Sequence, residues 1–140
     1  MPDGAETGAS PDPGPGTTDA RRPRPWRAAV AEESMTPAIL PGDYLLLDPT
    51  VRRWPRRGSV VVVREPGSGM LAIKRVAARP GDHVRTPDGL VHLDEDEAWL
   101  LGDALPRSID SRAYGPVAAD RLVARAWFRY WPARRIGRVR

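Results

Sequence analysis

From residue 26 onward, short apolar runs alternate with turns rich in Pro, Gly and Asp. Turn sequences such as Pro41-Gly42-Asp43 and Pro80-Gly81-Asp82 separate the runs, and no run keeps a helical period for long. Eight runs have the length and the composition of β-strands: 27–31, 43–48, 59–65, 70–78, 83–86, 90–93, 98–101 and 121–130. The pattern therefore predicts an all-β domain.

Two local features refine this prediction. The runs 83–86 and 90–93 flank Pro87-Asp88-Gly89, which predicts a β-hairpin in which Gly89 takes a positive φ. The segment 35–40 has Pro37 close to its start, which predicts one short turn of helix directly after Ser34.

The chain divides into three parts by composition. Residues 1–25 are rich in Pro and Gly and have few apolar side chains to bury, so they are predicted to form a disordered arm. Residues 26–132 carry all the strand-like runs and are predicted to form one domain around a single core. Residues 133–140 form a basic tail that contains Arg134, Arg135, Arg138 and Arg140 and is predicted to be solvated.

Composition excludes several kinds of chemistry. The 140 residues include no Cys, which excludes disulfides, thiolate metal sites and a cysteine nucleophile. They include only two His, which disfavours a multi-histidine zinc site. We therefore expect no cofactor and no metal. The longest apolar run is far shorter than the roughly 18 residues of a membrane span. We expect a protein without a transmembrane segment that is cytoplasmic or peripheral to a membrane.

The net charge is +4, yet the basic residues are almost all Arg. Of the 22 Lys and Arg residues, only Lys74 is a lysine. Such a bias makes the basic charge weak support for a nucleic-acid partner, and none is expected. The single lysine is more informative, because Arg stays protonated in proteins and cannot act as a base.

Lys74 lies in a strand-like run, between Ile73 and Val76. If its side chain points inward, desolvation disfavours the ammonium and yields a neutral amine that can take a proton from a serine hydroxyl. The alternative is a strand lysine that points to solvent, as most lysines do.

Three motifs together resemble the type I signal peptidase family, the Ser/Lys proteases of the S26 type. They are Ser34-Met35-x-Pro37, then Lys74-Arg75-Val76, then Gly102-Asp103 followed by Ser108-x-Asp110-Ser111-Arg112-x-x-Gly115-x-Val117. The resemblance covers roughly residues 27–132 and implies a compact signal-peptidase or LexA-like β-fold.

The resemblance also implies roles. Ser34 is expected to be the nucleophile, Lys74 the general base, and Ser108 the serine that orients the lysine. Two ion pairs are expected to support the loop of Ser108, formed by Arg75 with Asp103 and by Asp110 with Arg112. The backbone N–H of Ser34 is expected in the oxyanion hole. Glu32 stands where some members carry a second hydroxyl donor, so another backbone N–H is expected there.

Within this family the short, compact chain resembles the nickel-type superoxide dismutase maturation proteases, as does its segment 128–132. This implies removal of an N-terminal leader or propeptide, with a precursor protein such as that of nickel superoxide dismutase as substrate. The basic tail adds an expected peripheral contact with anionic membrane. Two alternatives stay open: a self-cleaving repressor-type Ser/Lys protease, and a non-catalytic basic binding module on the same fold.

Overall fold

The structure, a computed structural model, describes residues 9–11, 26–31, 33–104 and 109–140. Its helices are α1 (Ser111–Tyr114) and the 3-10 helices Ala119–Arg121 and Ala133–Arg135. Its strands are β1 (Ala9–Pro11), β2 (Trp26–Val30), β3 (Tyr44–Asp48), β4 (Val60–Arg64), β5 (Leu71–Ala78), β6 (His83–Thr86), β7 (Gly89–His92), β8 (Glu97–Leu101), β9 (Val117–Ala118), β10 (Leu122–Trp131) and β11 (Gly137–Arg138). The all-β class predicted from the sequence is confirmed.

The strands form one large antiparallel sheet and one separate hairpin. The large sheet has the order β1-β2-β3-β10-β4-β5-β8-β9, and β11 pairs with β10. The long strand β10 lies between β3 and β4, with Ala126 opposite both Leu47 and Val60. Each of the eight predicted strand runs corresponds to a strand of the structure, with ends that agree within a few residues.

The large sheet is buried on both faces at β4. In β4, whose sequence is VVVVR, the four valines are all buried. Val60 and Val62 belong to one core cluster with Leu45, and Val61 and Val63 belong to a second cluster on the opposite face. Because neighbouring strand residues point to opposite faces, such an apolar run is suited to a strand with a core on each side. Burial of each valine contributes roughly 1.5–3 kcal/mol.

The predicted hairpin is confirmed. Strands β6 and β7 pair in the register Thr86 opposite Gly89, with φ of 120° at Gly89. The Thr86 hydroxyl donates to the Gly89 carbonyl at 2.8 Å and accepts from the Asp88 N–H at 3.2 Å. This closes a two-residue loop.

Both ends of the chain show contacts that composition did not predict. Residues 9–11, within the predicted arm, pair with β2, and Ala9 lies opposite Val30. In the basic tail, β11 pairs with β10, and Arg135 is bound to the buried Asp43 rather than solvated. An edge strand needs only backbone N–H and C=O groups from its partner, so hydropathy gives little warning of such additions.

Candidate active site

Lys74 is buried in the middle of β5. Its side chain is only 2% exposed, and it lies directly opposite Val61 of β4. Strand alternation places it on the same face as Val76, and both valines belong to one core cluster that also contains Leu100. The only lysine of the chain is therefore held among apolar side chains rather than in solvent.

Ser34 lies in a turn that follows β2. The next residue, Met35, is 1% exposed and packs with Ile39 and Ile73 in the other core cluster. The Ile39 N–H donates to the Met35 carbonyl at 2.9 Å and closes a turn, but the segment contains no helix, so the helical turn predicted after Ser34 is not formed. Burial of Met35 and Ile39 fixes this turn on the sheet and leaves Ser34 partly exposed.

The segment directly after β8 connects Ser34 to the strand that carries Lys74. The Ala104 N–H donates to the Ser34 carbonyl at 2.8 Å. Strand β8 pairs with β5 so that Leu101 lies opposite Arg75. Continued by one residue, this antiparallel register brings Gly102 beside Lys74.

Arg75 and Asp103 form a two-point ion pair across the same segment. Nε of Arg75 donates to Oδ1 of Asp103 at 2.9 Å, and Nη2 donates to Oδ2 at 2.6 Å. The hydrogen bond to Asp103 raises the pKa of Arg75. The guanidinium also donates to the carbonyls of Gly58 and Arg140. Arg75 thus holds the end of β8 against neighbouring segments.

Asp110 and Ser111 anchor the start of α1 to β8. The buried Asp110 carboxylate accepts from the Gly102 N–H at 2.9 Å, and the Ser111 hydroxyl accepts from the Leu100 N–H at 2.8 Å. Asp110 also caps α1 through the Arg112 N–H and pairs with the Arg112 guanidinium at 2.7 Å. Both ion pairs that the resemblance implies are therefore present. Glu32 and Ser108 lie outside the described residues, so their predicted roles stay predictions.

Tyr114, at the end of α1, packs against the cluster that contains Val61 and Val76. Its hydroxyl is buried and has no hydrogen-bond partner. Burial raises the pKa of Tyr114, and the nearby Glu65 and Asp110 carboxylates raise it further. No pattern in the sequence pointed to this buried hydroxyl, because tyrosine is intermediate in burial and its position near a turn does not decide whether it is exposed.

A buried charge network supports the turn that carries Ser34, and sequence reasoning missed it. Asp43 is 2% exposed and pairs with Arg129 and Arg135, each at 3.2 Å. Its carboxylate also accepts from the Leu40 N–H at 2.9 Å, and both arginines donate to the Ala38 carbonyl. The sequence signal was the Pro-Gly-Asp turn, but nothing in it identified the arginines as partners.

Ser34 and Lys74 are brought to the same part of the sheet without a bond between them. The Ser34 hydroxyl makes no hydrogen bond with another described residue. In enzymes without bound substrate, catalytic hydrogen bonds are often long and shorten only when substrate binds. Among the described residues there is no group of three or more His, Cys, Asp or Glu side chains that could hold a metal ion.

Two grooves lie elsewhere on the surface. One, of about 960 Å³, runs between the β6–β7 hairpin and the start of α1, past His83, Trp99 and Arg112. The other, of about 670 Å³, is lined by four arginines and by Asp48, Trp127 and Val139. Neither groove is lined by Ser34 or Lys74.

Comparison with known proteins identifies the class. Residues 26–98 and 88–131 match the family described as signal peptidase, peptidase S26. The chain is 34% identical over 113 residues to mitochondrial inner membrane protease subunit 1 of Xenopus tropicalis, a match covering 74% of this chain and 68% of the relative. It is 31% identical over 140 residues to the probable signal peptidase I-2 of Synechocystis sp., covering 77% and 64%. The human mitochondrial inner membrane protease subunit 1 is 31% identical over 116 residues, covering 76% and 70%.

The fold and these matches define a hydrolase of the protease class. The chain belongs to the signal peptidase, peptidase S26, family. The matched region covers about two thirds of the length of the two mitochondrial subunits. It covers slightly less than two thirds of the length of the Synechocystis protein. Within the part of the chain that the structure describes, no helix is long and apolar enough to cross a bilayer.

Proposed function

We propose that the chain is a serine endopeptidase in which Ser34 is the nucleophile and Lys74 is the general base. The observation that carries this proposal is the burial of Lys74, at 2% exposure, opposite Val61. Removal of an amine from water disfavours its charged form, which is the effect that a lysine base requires.

The chemistry follows from these two groups. The neutral Lys74 amine takes the proton of the Ser34 hydroxyl while the oxygen attacks the substrate carbonyl. The resulting ammonium returns the proton to the leaving amine as the peptide bond breaks, and water then releases the acyl group from Ser34. The Ser34 N–H donates to no described residue, so it is free to bind the oxyanion. A further backbone N–H supplies the second donor.

We propose, from the family motif alone, that Ser108 orients the Lys74 amine through a hydrogen bond. Asp110, two residues later, binds the Gly102 N–H next to β5 through its carboxylate. The pair of Arg75 and Asp103 holds the other side of the same segment at 2.6 Å. These four charged residues, Arg112 included, are positioning residues, because they act through the loop and not on the substrate.

We propose that the substrate is an N-terminal leader or propeptide, and specifically that of a nickel-type superoxide dismutase precursor. Two features support the second, narrower statement. Between Lys74 and Gly102 the structure has only the β6–β7 hairpin and the strand β8, so the interval is compact. The segment Phe128–Arg129–Tyr130–Trp131–Pro132 resembles that of the maturation proteases.

We place this activity in the cytoplasm or at the face of a membrane. Arg134 and Arg138, both exposed, offer the positive charge for a peripheral contact with anionic lipid. Sedimentation with anionic and with neutral vesicles separates the two locations, since only the peripheral form sediments with the anionic ones.

The test is cleavage of a leader-bearing precursor, followed by mass spectrometry of its new N-terminus. Ser34→Ala should lower kcat/KM about a thousandfold or more, because it removes the nucleophile. Ser68→Ala, at an exposed turn serine, is the matched control and should keep full activity. Cleavage by Ser34→Ala at the rate of the control would overturn the protease proposal. Cleavage of other leaders but not of the dismutase precursor would overturn only the narrower one.

A further inference from the structure

The two histidines of the chain face each other across the hairpin. His83 of β6 lies directly opposite His92 of β7. Nδ1 of His92 is 3.2 Å from Nε2 of His83, and the ring centroids are 4.6 Å apart. Both side chains are exposed, whereas Val84 and Val91, the next pair, are partly buried on the other face.

This spacing fits two ligands of one metal ion. With metal–nitrogen bonds of about 2.0–2.1 Å, two adjacent ligands of a tetrahedral or square-planar ion lie roughly 2.9–3.4 Å apart. A short rotation of either ring from its present contact would point both lone pairs at a shared ion. Because the strand register fixes both Cα atoms, the protein keeps the two imidazoles close together before any ion binds.

We propose that His83 and His92 form a two-imidazole chelate for a late first-row divalent ion such as Cu²⁺, Ni²⁺ or Zn²⁺. Imidazole nitrogen suits these ions, and Cu²⁺ is bound most tightly of the three. The site is separate from Ser34 and Lys74 and has no part in the proposed peptide cleavage.

The surroundings limit the site to two protein ligands. The Asp82 carboxylate is already bound to the Arg79 N–H at 2.8 Å, and no group of three or more potential ligands occurs in the described ranges. Arg85 lies two residues along β6 on the same exposed face, and its charge opposes a bound cation. Water therefore fills the remaining positions. His83 also borders the groove that runs past Trp99, so a bound ion lies at the rim of that groove.

The composition leaves only one possible source of imidazole ligands. The chain has no Cys and no third His, so any imidazole nitrogen bound to copper must come from this pair. The full chain is titrated with Cu²⁺ and with Zn²⁺ at pH 7.5 by calorimetry. The Cu²⁺ complex is then examined by electron paramagnetic resonance. We expect one ion per chain and the signature of two coordinated imidazoles.

His83→Gln and His92→Gln should each lower the Cu²⁺ affinity at least tenfold, because either change removes the chelate. Arg85→Gln is the matched control on the same face and should bind at least as tightly as the natural chain. Circular dichroism checks that each variant folds. Affinity within threefold of the natural chain in either histidine variant, or one imidazole in the spectrum, would overturn the site.

Discussion

The N–H of Ala104 donates to the carbonyl of Ser34 at 2.8 Å, although the two residues are far apart in the sequence. The residue before Ala104, Asp103, binds Arg75, which itself follows Lys74 on β5. The proposed nucleophile and base are thus joined through one short segment after β8. Any change that loosens this segment should alter the distance between the Ser34 hydroxyl and the Lys74 amine.

Replacement of Lys74 tests the proposed base directly. Lys74→Arg keeps a positive charge but cannot lose it, so kcat/KM should fall at least about a hundredfold. Because Arg is bulkier and the site is buried, Lys74→Met serves as a second variant of similar length without an amine. It should be equally inactive and as stable as the natural chain or more so, since an apolar group suits this core.

Both variants are measured with the same fluorogenic leader peptide, and chemical denaturation gives their free energies of unfolding. If the Lys74→Met variant stays folded and cleaves the peptide near the natural rate, the Lys74 amine is excluded as the base.

The sequence predicted the strands well because their burial pattern is local. The run Val60–Val63 and the Pro-Gly-Asp turns specify a strand and its ends without reference to the rest of the chain. Partners distant in sequence were predicted only where a family motif named them, as for Arg75 with Asp103. The pairing of Asp43 with Arg129 and Arg135 had no such motif, and in a chain so rich in arginine no pattern singles out two of them.

Asp43 and Asp82 occupy equivalent Pro-Gly-Asp turns and therefore form a matched pair. The carboxylate of each accepts from a backbone N–H three residues earlier, at 2.9 Å for Asp43 and 2.8 Å for Asp82. Only Asp43 is buried and paired with arginines. Asp43→Asn should lower the free energy of unfolding by about 2–4 kcal/mol, because it leaves buried charge uncompensated. Asp82→Asn should cost about 1 kcal/mol or less.

The rate of peptide cleavage should also fall in Asp43→Asn and not in Asp82→Asn. The Asp43 network holds the carbonyl of Ala38 in the turn that begins at Ser34, so Asp43→Asn should also lower kcat while Asp82→Asn leaves it unchanged. Denaturant titration and steady-state kinetics on both variants provide the check. Equal stability losses in the two would show that the arginines add nothing to the turn.

Asp110 and Arg112 should contribute very unequally to the free energy of unfolding, although they form one ion pair. The Asp110 side chain is 1% exposed and binds the Gly102 N–H, whereas that of Arg112 is 40% exposed. Asp110→Ala should cost about 3 kcal/mol, because buried N–H groups lose their acceptor. Arg112→Ala should cost less than about 1 kcal/mol, as exposed ion pairs do.

The same two variants test whether Asp110 positions the loop of Ser108. Asp110→Ala, assayed well below its unfolding midpoint, should lower kcat with little change in KM. Arg112→Ala should leave both near the natural values. A loss of stability without any change in kcat would assign Asp110 a structural function alone.

Tyr114 should make the protein lose stability in alkali. Burial raises the pKa of Tyr114 above its ordinary value of 10.0, so the folded state keeps the phenol proton after the unfolded state has lost it. The unfolded state then binds fewer protons, and the free energy of unfolding falls with a slope of up to about 1.4 kcal/mol per pH unit. The loss begins near pH 10 and is absent below it.

Tyr114→Phe removes both the titration and a buried hydroxyl without a partner, so it should stabilise the protein by about 1 kcal/mol at pH 7. It should also reduce the decline above pH 10. Denaturant unfolding of the two proteins from pH 7 to 11 measures both effects, and parallel curves would contradict the assignment to Tyr114.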